Sequence, residues 1–460
     1  MSIVCRGKPT SQEEVFAYTN GRFLGGLSKA LLMTREGGSE LIAKVPCRIA
    51  GPAFLTTASE VGTLEYIRRY TSIPVPRVFS WSPDNSNPVG AEYIVMEKAI
   101  RVPLFERWGE MTEIEKLELI KHLTQLEAQL SAIGFPAYGV LYLRADADCL
   151  ERQDLDGDVD KQHLFCVGPS PDRSFDVDTG ANIPTEEGSV NNGPWNNLSD
   201  LGISIAKRAF SQLAKQSLDN RSVVHRGGPQ EQARLLEVAV LLMRMLDSHP
   251  ITTLIDVQSL SVLPLFLQAR WPVFLQPPQD YTRGFVQPVL SRDFDSLNEE
   301  DKAAALHDWT QAKLAKAYEV STFLENRLAH DAMAVPRVLR ELFIRVGEIS
   351  DTGIVPLRDC LIEISQNWSN LGFWWHCPYS FSHEEISVHE RQFAKYQKWS
   401  EVQQLALESL DTDAEGWVAP QLDFDRKRSQ NKELLAIYMT RMAGEMSPEE
   451  ARRIWPFPEE

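Results

Sequence analysis

What the sequence lacks narrows it first. No apolar run approaches the ~20 residues that a membrane-spanning helix needs. The longest, Leu235 to Met245, is broken by Glu237 and Arg244. The N-terminus has no apolar signal core. Arg6 and Lys8 run quickly into Glu13 and Glu14, too short and too acidic a stretch for a convincing mitochondrial presequence. The six cysteines, Cys5, Cys47, Cys149, Cys166, Cys360 and Cys377, include no Cys-x-x-Cys pair and read as the reduced thiols of an intracellular protein. His376-Cys377-Pro378 with His383 nearby is read as a buried loop, because a zinc site would call for a second cysteine pair. Basic clusters are missing too. At a net charge of −17 the chain repels phosphate backbones, which argues against nucleic acid as its main partner. A local basic pocket for one nucleotide is still compatible with that charge.

What is present is an ordinary globular composition, 43% apolar and 24% charged, enough for a real core. A length of 460 residues predicts two to three domains, or one bilobal unit with additions. Lys29 to Thr34 and Glu40 to Pro46 read as strands around Arg35-Glu36-Gly37-Gly38, a hairpin signal. Val61, Leu64 and Ile67 then recur at helical spacing, with Thr57 or Ser59 as the expected cap and Pro74 and Pro76 as the stop. Arg77 to Ser82 and Glu92 to Lys98 read as two more strands, so the first hundred residues read β-β-α-β-β. Thr112-Glu113-Ile114-Glu115 is a capping box, and Leu117, Ile120, Leu123, Leu126 and Leu130 follow on one helical face. Helical period returns at about 231–246, 299–325, 385–409 and 430–443. Residues 151–197, rich in Asp, Gly and Pro, are predicted to be a long surface insertion. The resulting expectation is an α+β, bilobal protein-kinase-like fold: a β-rich nucleotide-binding lobe over 1–98, a helical lobe over 99–330, and a helical extension over 331–460.

Four groups of residues could carry chemistry. Lys44, in Leu41-Ile42-Ala43-Lys44-Val45, lies on the third strand if another strand precedes Gly25. A cation on a rigid strand after a glycine hairpin can screen the α- and β-phosphates of a nucleotide, and a carboxylate on the next helix, here Glu60, holds it in place. Gly25, Gly26 and Ser28, in Gly25-Gly26-Leu27-Ser28-Lys29, could offer backbone amides over those phosphates. The strand ending Met96-Glu97-Lys98 resembles a hinge whose backbone would meet an adenine edge; a plain core strand is the equal alternative. Asp256, closing the apolar run Thr253-Leu254-Ile255, is placed to bind the Mg²⁺ that bridges phosphates; the alternative is a carboxylate capping the next turn.

The chain also resembles the fungal aminoglycoside phosphotransferase family, in the branch of altered inheritance of mitochondria protein nine. The resemblance rests on Tyr18-Thr19-Asn20-Gly21-Arg22-Phe23, Ala50-Gly51-Pro52 through Thr56-Thr57-Ala58-Ser59-Glu60-Val61, Val89-Gly90-Ala91-Glu92-Tyr93, Gly193-Pro194-Trp195, Pro264-Leu265-Phe266 and Leu371-Gly372-Phe373. It implies ATP and Mg²⁺ as cofactors and a mitochondrial setting, against which the weak N-terminus leaves a cytoplasmic one. It also implies phosphate-clamp roles for Lys44 and Glu60, and a metal role for Asp256, although the family's usual Asp-Trp-Gln is here Asp256-Val257-Gln258.

One expected element is missing. The family carries His-x-Asp with an Asn five residues after the Asp, ahead of the metal Asp. None of the nine histidines is followed by Asp two positions later, and only Asp247-Ser248-His249-Pro250-Ile251-Thr252 separates the helix ending near Leu246 from the strand near Thr253. No catalytic base is identified. Arg292-Asp293 with Asn298 has the right offsets but follows Asp256 in the chain. A second short junction is the single Leu24 between Arg22-Phe23 and the glycine turn, where the family has a helix. Three functions are compatible with these residues: a nucleotide-binding phosphotransferase relative with impaired or absent transfer, an active small-molecule kinase in which Asp247 supplies the missing role, and a scaffold whose C-terminal helices bind a protein partner.

Overall fold

The computed structural model describes residues 16–25, 28–35, 38–47, 50–100, 102–172, 175, 191–216, 227–246, 261–412, 418, 423–444 and 447–457. Strands β1 (Phe16–Gly25), β2 (Ser28–Arg35) and β3 (Glu40–Pro46) lead into helix α1 (Leu55–Tyr70), followed by β4 (Val78–Ser82) and β5 (Tyr93–Glu97). The five strands form one antiparallel sheet in the order β1-β2-β3-β5-β4. β1 supplies the strand expected before Gly25, so Lys44 does lie on the third strand. β1 also carries Arg22-Phe23 straight into the turn at Gly25, without an intervening helix.

The sheet has two faces because side chains alternate along a strand. Leu41 and Ala43 of β3 are buried with Met33 and Val95 on one face. On the other, Ile42 packs with Ile94, Met96 and Val61 of α1, and Lys44 shares that side by period. Helix α1 starts earlier than either expected cap. It begins at Leu55, after Phe54 at φ 73° with no capping side chain. Thr57 and Ser59 are buried inside it, where the Thr57 hydroxyl donates to Glu92 at 2.6 Å and the Ser59 hydroxyl to the Thr56 carbonyl at 3.1 Å. A tertiary partner for Thr57 has outweighed its local capping preference.

Helices α2 (Leu104–Trp108) and α3 (Glu113–Ser131) follow. The Thr112–Glu115 capping box forms as expected. The apolar face of α3 is shorter than expected: Ile120 and Leu130 are buried, but Leu117 is exposed. A second sheet then appears, in the order β7-β8-β6-β9, from β6 (Gly139–Leu143), β7 (Gln153–Asp154), β8 (Phe165–Gly168) and β9 (Ser261–Val262). Within 151–197, read as a surface insertion, residues 165–168 belong to this sheet, while 173–174 and 176–190 lie outside the described residues. Phe165, Cys166 and Val167 are among the most buried residues in the protein. Their run is short, and the Asp and Gly residues around it hid it.

The remaining helices are α4 (Leu198–Gln216), α5 (Pro229–Leu246), α6 (Leu265–Gln268), α7 (Glu299–Glu325), α8 (Arg327–Met333), α9 (Arg337–Gly347), α10 (Ile349–Thr352), α11 (Ile354–Gln366), α12 (His383–Leu410), α13 (Phe424–Met442) and α14 (Pro448–Ile454). The main core joins Tyr66 and Ile67 of α1 to the second sheet and to α4, α5, α9 and α11. Each fully buried Leu or Phe there contributes roughly 1.5–3 kcal/mol through area removed from water. An antiparallel sheet with a helix between its third and fourth strands, set against a larger helical body, is an α+β bilobal kinase-like fold.

Candidate nucleotide site

Lys44 and Glu60 meet. The Lys44 Nζ donates to both Glu60 carboxylate oxygens, at 2.6 and 2.7 Å, across 16 residues of sequence. Both side chains are part-buried, 28% and 21% exposed. A pair this open to water adds little to folding, yet it fixes a cation on the α1 side of the sheet. In the ladders Lys44 sits opposite Ala30 and Ile94. The β1–β2 turn, where Gly25 pairs with Ser28, lies at the same end of the sheet, since Ser28 faces Pro46 two residues beyond Lys44. Gly25 and Ser28 are thus close in register to Lys44. Gly26 lies outside the described residues.

At the strand end one backbone donor is already engaged. β5 is flanked by β3 and β4, so its ladder consumes the backbone as far as Glu97, whose N–H donates to the Arg77 carbonyl at 2.8 Å. That amide is not free for an adenine edge. The Glu97 side chain accepts from the Arg77 N–H at 3.2 Å, and Lys98 pairs with Glu40 at 2.5 Å.

What positions Glu60 is the far side of α1. Gly62 lies against β6: a Cβ added there would sit 2.6 Å from the Tyr142 Cα and 2.8 Å from the Leu141 carbonyl oxygen. One turn on, the Tyr66 hydroxyl donates to the Val159 carbonyl at 2.9 Å and the Tyr70 hydroxyl to Asp160 at 2.7 Å. Asp160, wholly buried, also accepts from the Phe165 N–H at 2.7 Å. Burial, with Tyr70 and Asp160 nearby, pushes the Tyr66 hydroxyl far above its usual range, so it stays a donor. Sequence reasoning missed Gly62 and Asp160. An isolated glycine inside a helical period is the signal that could have flagged Gly62; for Asp160 the sequence holds none.

Asp256 and Asp247 lie outside the described residues, as does the whole stretch 247–260. Among the described residues no group of three or more His, Cys, Asp or Glu side chains is placed to hold a metal ion. Cys377 is packed against the main core. The Asp293/Asn298 pair is explained by capping: the Asn298 side chain accepts from the Asp301 N–H at 2.8 Å and starts α7.

No protein-family model matches the chain. A subtelomeric hrmA-associated cluster protein of Aspergillus fumigatus is 29% identical, covering 94% of this chain and 95% of that protein. Altered inheritance of mitochondria protein 9, mitochondrial, of Yarrowia lipolytica is 24% identical, covering 85% of this chain and 73% of its own. Homologues of this chain include altered inheritance of mitochondria protein 9. Among solved structures, the streptomycin–ATP–APH(2'')-IIa ternary complex matches 78% of this chain and 93% of its own, at 14% identity and a TM-score of 0.35. The Aspergillus alignment extends over 500 positions, more than the 460 residues of this chain, so that relative carries residues this chain lacks. No helix among the described residues is long and apolar enough to cross a membrane.

Proposed function

We propose that this protein binds a nucleotide in the cleft under its five-stranded sheet and has impaired or absent phosphoryl transfer. The observation that carries the reading is the Lys44–Glu60 pair, a held cation on β3 beside a glycine turn. In the bound state Lys44 would face the phosphates, Glu60 would orient it, and amides around Gly25 and Ser28 would cover them. Mg²⁺, when bound, would supply charge neutralisation between phosphates, and Asp256 is the residue proposed to hold it. Catalysis of this reaction is almost entirely positioning and electrostatics. A chain without His-x-Asp and its downstream Asn therefore lacks both the carboxylate that orients an acceptor hydroxyl and the second metal ligand.

Thermal unfolding with and without Mg²⁺-ATP tests the binding. A ligand specific to the folded state at a hundred times its Kd stabilises by about 2.7 kcal/mol. The wild-type protein should shift upward and Lys44→Ala should not. No shift in the wild type would refute nucleotide binding. Phosphoryl transfer by this polypeptide that disappears in Asp256→Asn would refute the claim of lost activity.

A further inference from the structure

A second site lies away from the Lys44 cleft. A cavity of about 390 Å³ opens between α3, α7, α8 and the segment after α6, and no residue of the five-stranded sheet or α1 lines it. Small-molecule sites are commonly of this size. Its walls include several polar side chains. Glu127 lines it and accepts a hydrogen bond from the Tyr318 hydroxyl at 2.9 Å. Ser131 and Asn326 join across it at 2.9 Å. The Gln268 Nε2 is tied to the Ser261 carbonyl at 3.2 Å.

One lining residue is a cation, and two more arginines lie on the neighbouring segments. Arg270 lines the cavity, is exposed, and has no carboxylate within ion-pair distance among the described residues. Arg283 stacks on Trp271 at 4.8 Å and donates to the Met333 carbonyl at 2.7 Å. Arg340 donates to the Phe266 and Ala269 carbonyls at 2.5 and 3.1 Å. Burial, and then the nearby Arg270 and Arg283, push the Arg340 guanidinium down, with Glu341 acting the other way. Inside, burial raises the Glu127 carboxyl to about 7, although the Tyr318 hydrogen bond opposes this. Near neutral pH it is therefore often uncharged, able to donate rather than repel an anion.

We propose that this cavity binds a small polyhydroxylated anion, a sugar phosphate or a sugar acid, with its charge on Arg270 and a hydroxyl on Glu127. Uncompensated guanidinium charge disfavours a polycationic ligand in the same place. The proposal does not depend on nucleotide binding at Lys44.

Isothermal titration at pH 6.5 with glucose 6-phosphate, gluconate, glucose, glucosamine and inorganic phosphate tests it. Binding of glucose 6-phosphate or gluconate is expected, and which of the two is tighter identifies phosphate or carboxylate as the recognised group. Arg270→Gln should weaken that binding at least about tenfold, Arg270→Lys should recover part of it, and Lys44→Ala should leave it unchanged. Neither anion binding at about 10 mM, an unaltered affinity in Arg270→Gln, or glucosamine binding more tightly than both would overturn the proposal. Inorganic phosphate binding as tightly as glucose 6-phosphate would overturn the role of the hydroxyls. Arg270 is exposed, so an unchanged melting temperature will show that the variant is folded.

Discussion

In the five-stranded sheet β3 alternates, with Leu41 and Ala43 buried on one face and Ile42 and Lys44 only half-covered on the other. In the four-stranded sheet β6 and β8 bury consecutive residues from Val140 to Tyr142 and from Phe165 to Val167, so both faces are packed. Helix α1 lies between them. Its inner side is set against β6 through Gly62 and against Phe165 of β8 and the Val159-Asp160 loop through Tyr66 and Tyr70, and its outer side reaches the first sheet through Val61 and the Lys44–Glu60 pair. The difference teaches where the molecule is anchored. The helix that holds Glu60 is part of the large body, and the sheet that holds Lys44 meets it through a small apolar cluster and an open ion pair.

The largest expected effect measures that inequality directly. Phe165 sits in the main core with its ring 5.2 Å from that of Tyr66, edge to face. Met33 belongs to a satellite cluster of four buried residues. Phe165→Ala should cost about 4 kcal/mol and Met33→Ala about 2 kcal/mol, because a thin cluster relaxes around a cavity more readily than a packed core. Urea unfolding followed by far-UV circular dichroism reads both. Equal losses would break the comparison.

Gly62→Ala is the next test, and its sign is informative. In an exposed helix interior the change would gain up to about 1 kcal/mol. Here the new methyl meets backbone of Tyr142 and Leu141, so we expect a loss of about 3 kcal/mol, together with a weakened response to Mg²⁺-ATP as Glu60 is displaced. A neutral or stabilising result would show that α1 is not seated on β6 as described.

Carboxylates follow the same division. Glu60 is half-open and held by a cation. Glu127 is buried without one, and its pKa stands at about 7 against 4.5 for the free side chain. The folded state therefore keeps a proton that the unfolded state releases. The stability from Glu127 is complete below about pH 4.5 and is lost as pH rises through about 7, a fall of roughly 2–3 kcal/mol. Glu127→Gln should remove that slope. Urea midpoints at pH 5 and pH 8 that differ equally in wild type and variant would contradict it.

The legibility of the chain follows the same contrast. The first sheet and α1 could be read because alternation and helical spacing leave a trace in sequence: Glu40 to Pro46 was placed to the residue, and Lys44 and Glu60 were paired before any geometry. β8 was missed because a strand buried on both faces is only a short apolar run, and Asp and Gly neighbours disguised it. The start of α1 was misplaced because Thr57 spends its hydroxyl on Glu92, 35 residues away. The cavity around Glu127 and Arg270 was invisible, since its walls come from segments as far apart in the chain as Glu127 and Met333. Sequence spacing carries no information about such a convergence.

The smallest expected effect is the one that separates a functional pair from a structural one. Lys44 and Glu60 are 28% and 21% exposed. Solvent screening leaves such a pair worth no more than about 1 kcal/mol, and the buried seat of α1 on β6 does not depend on it. Lys44→Ala should therefore change the urea midpoint only slightly while abolishing the Mg²⁺-ATP shift. If the substitution instead costs as much as Gly62→Ala, the pair is a brace between the two bodies, and the nucleotide reading loses the observation that carries it.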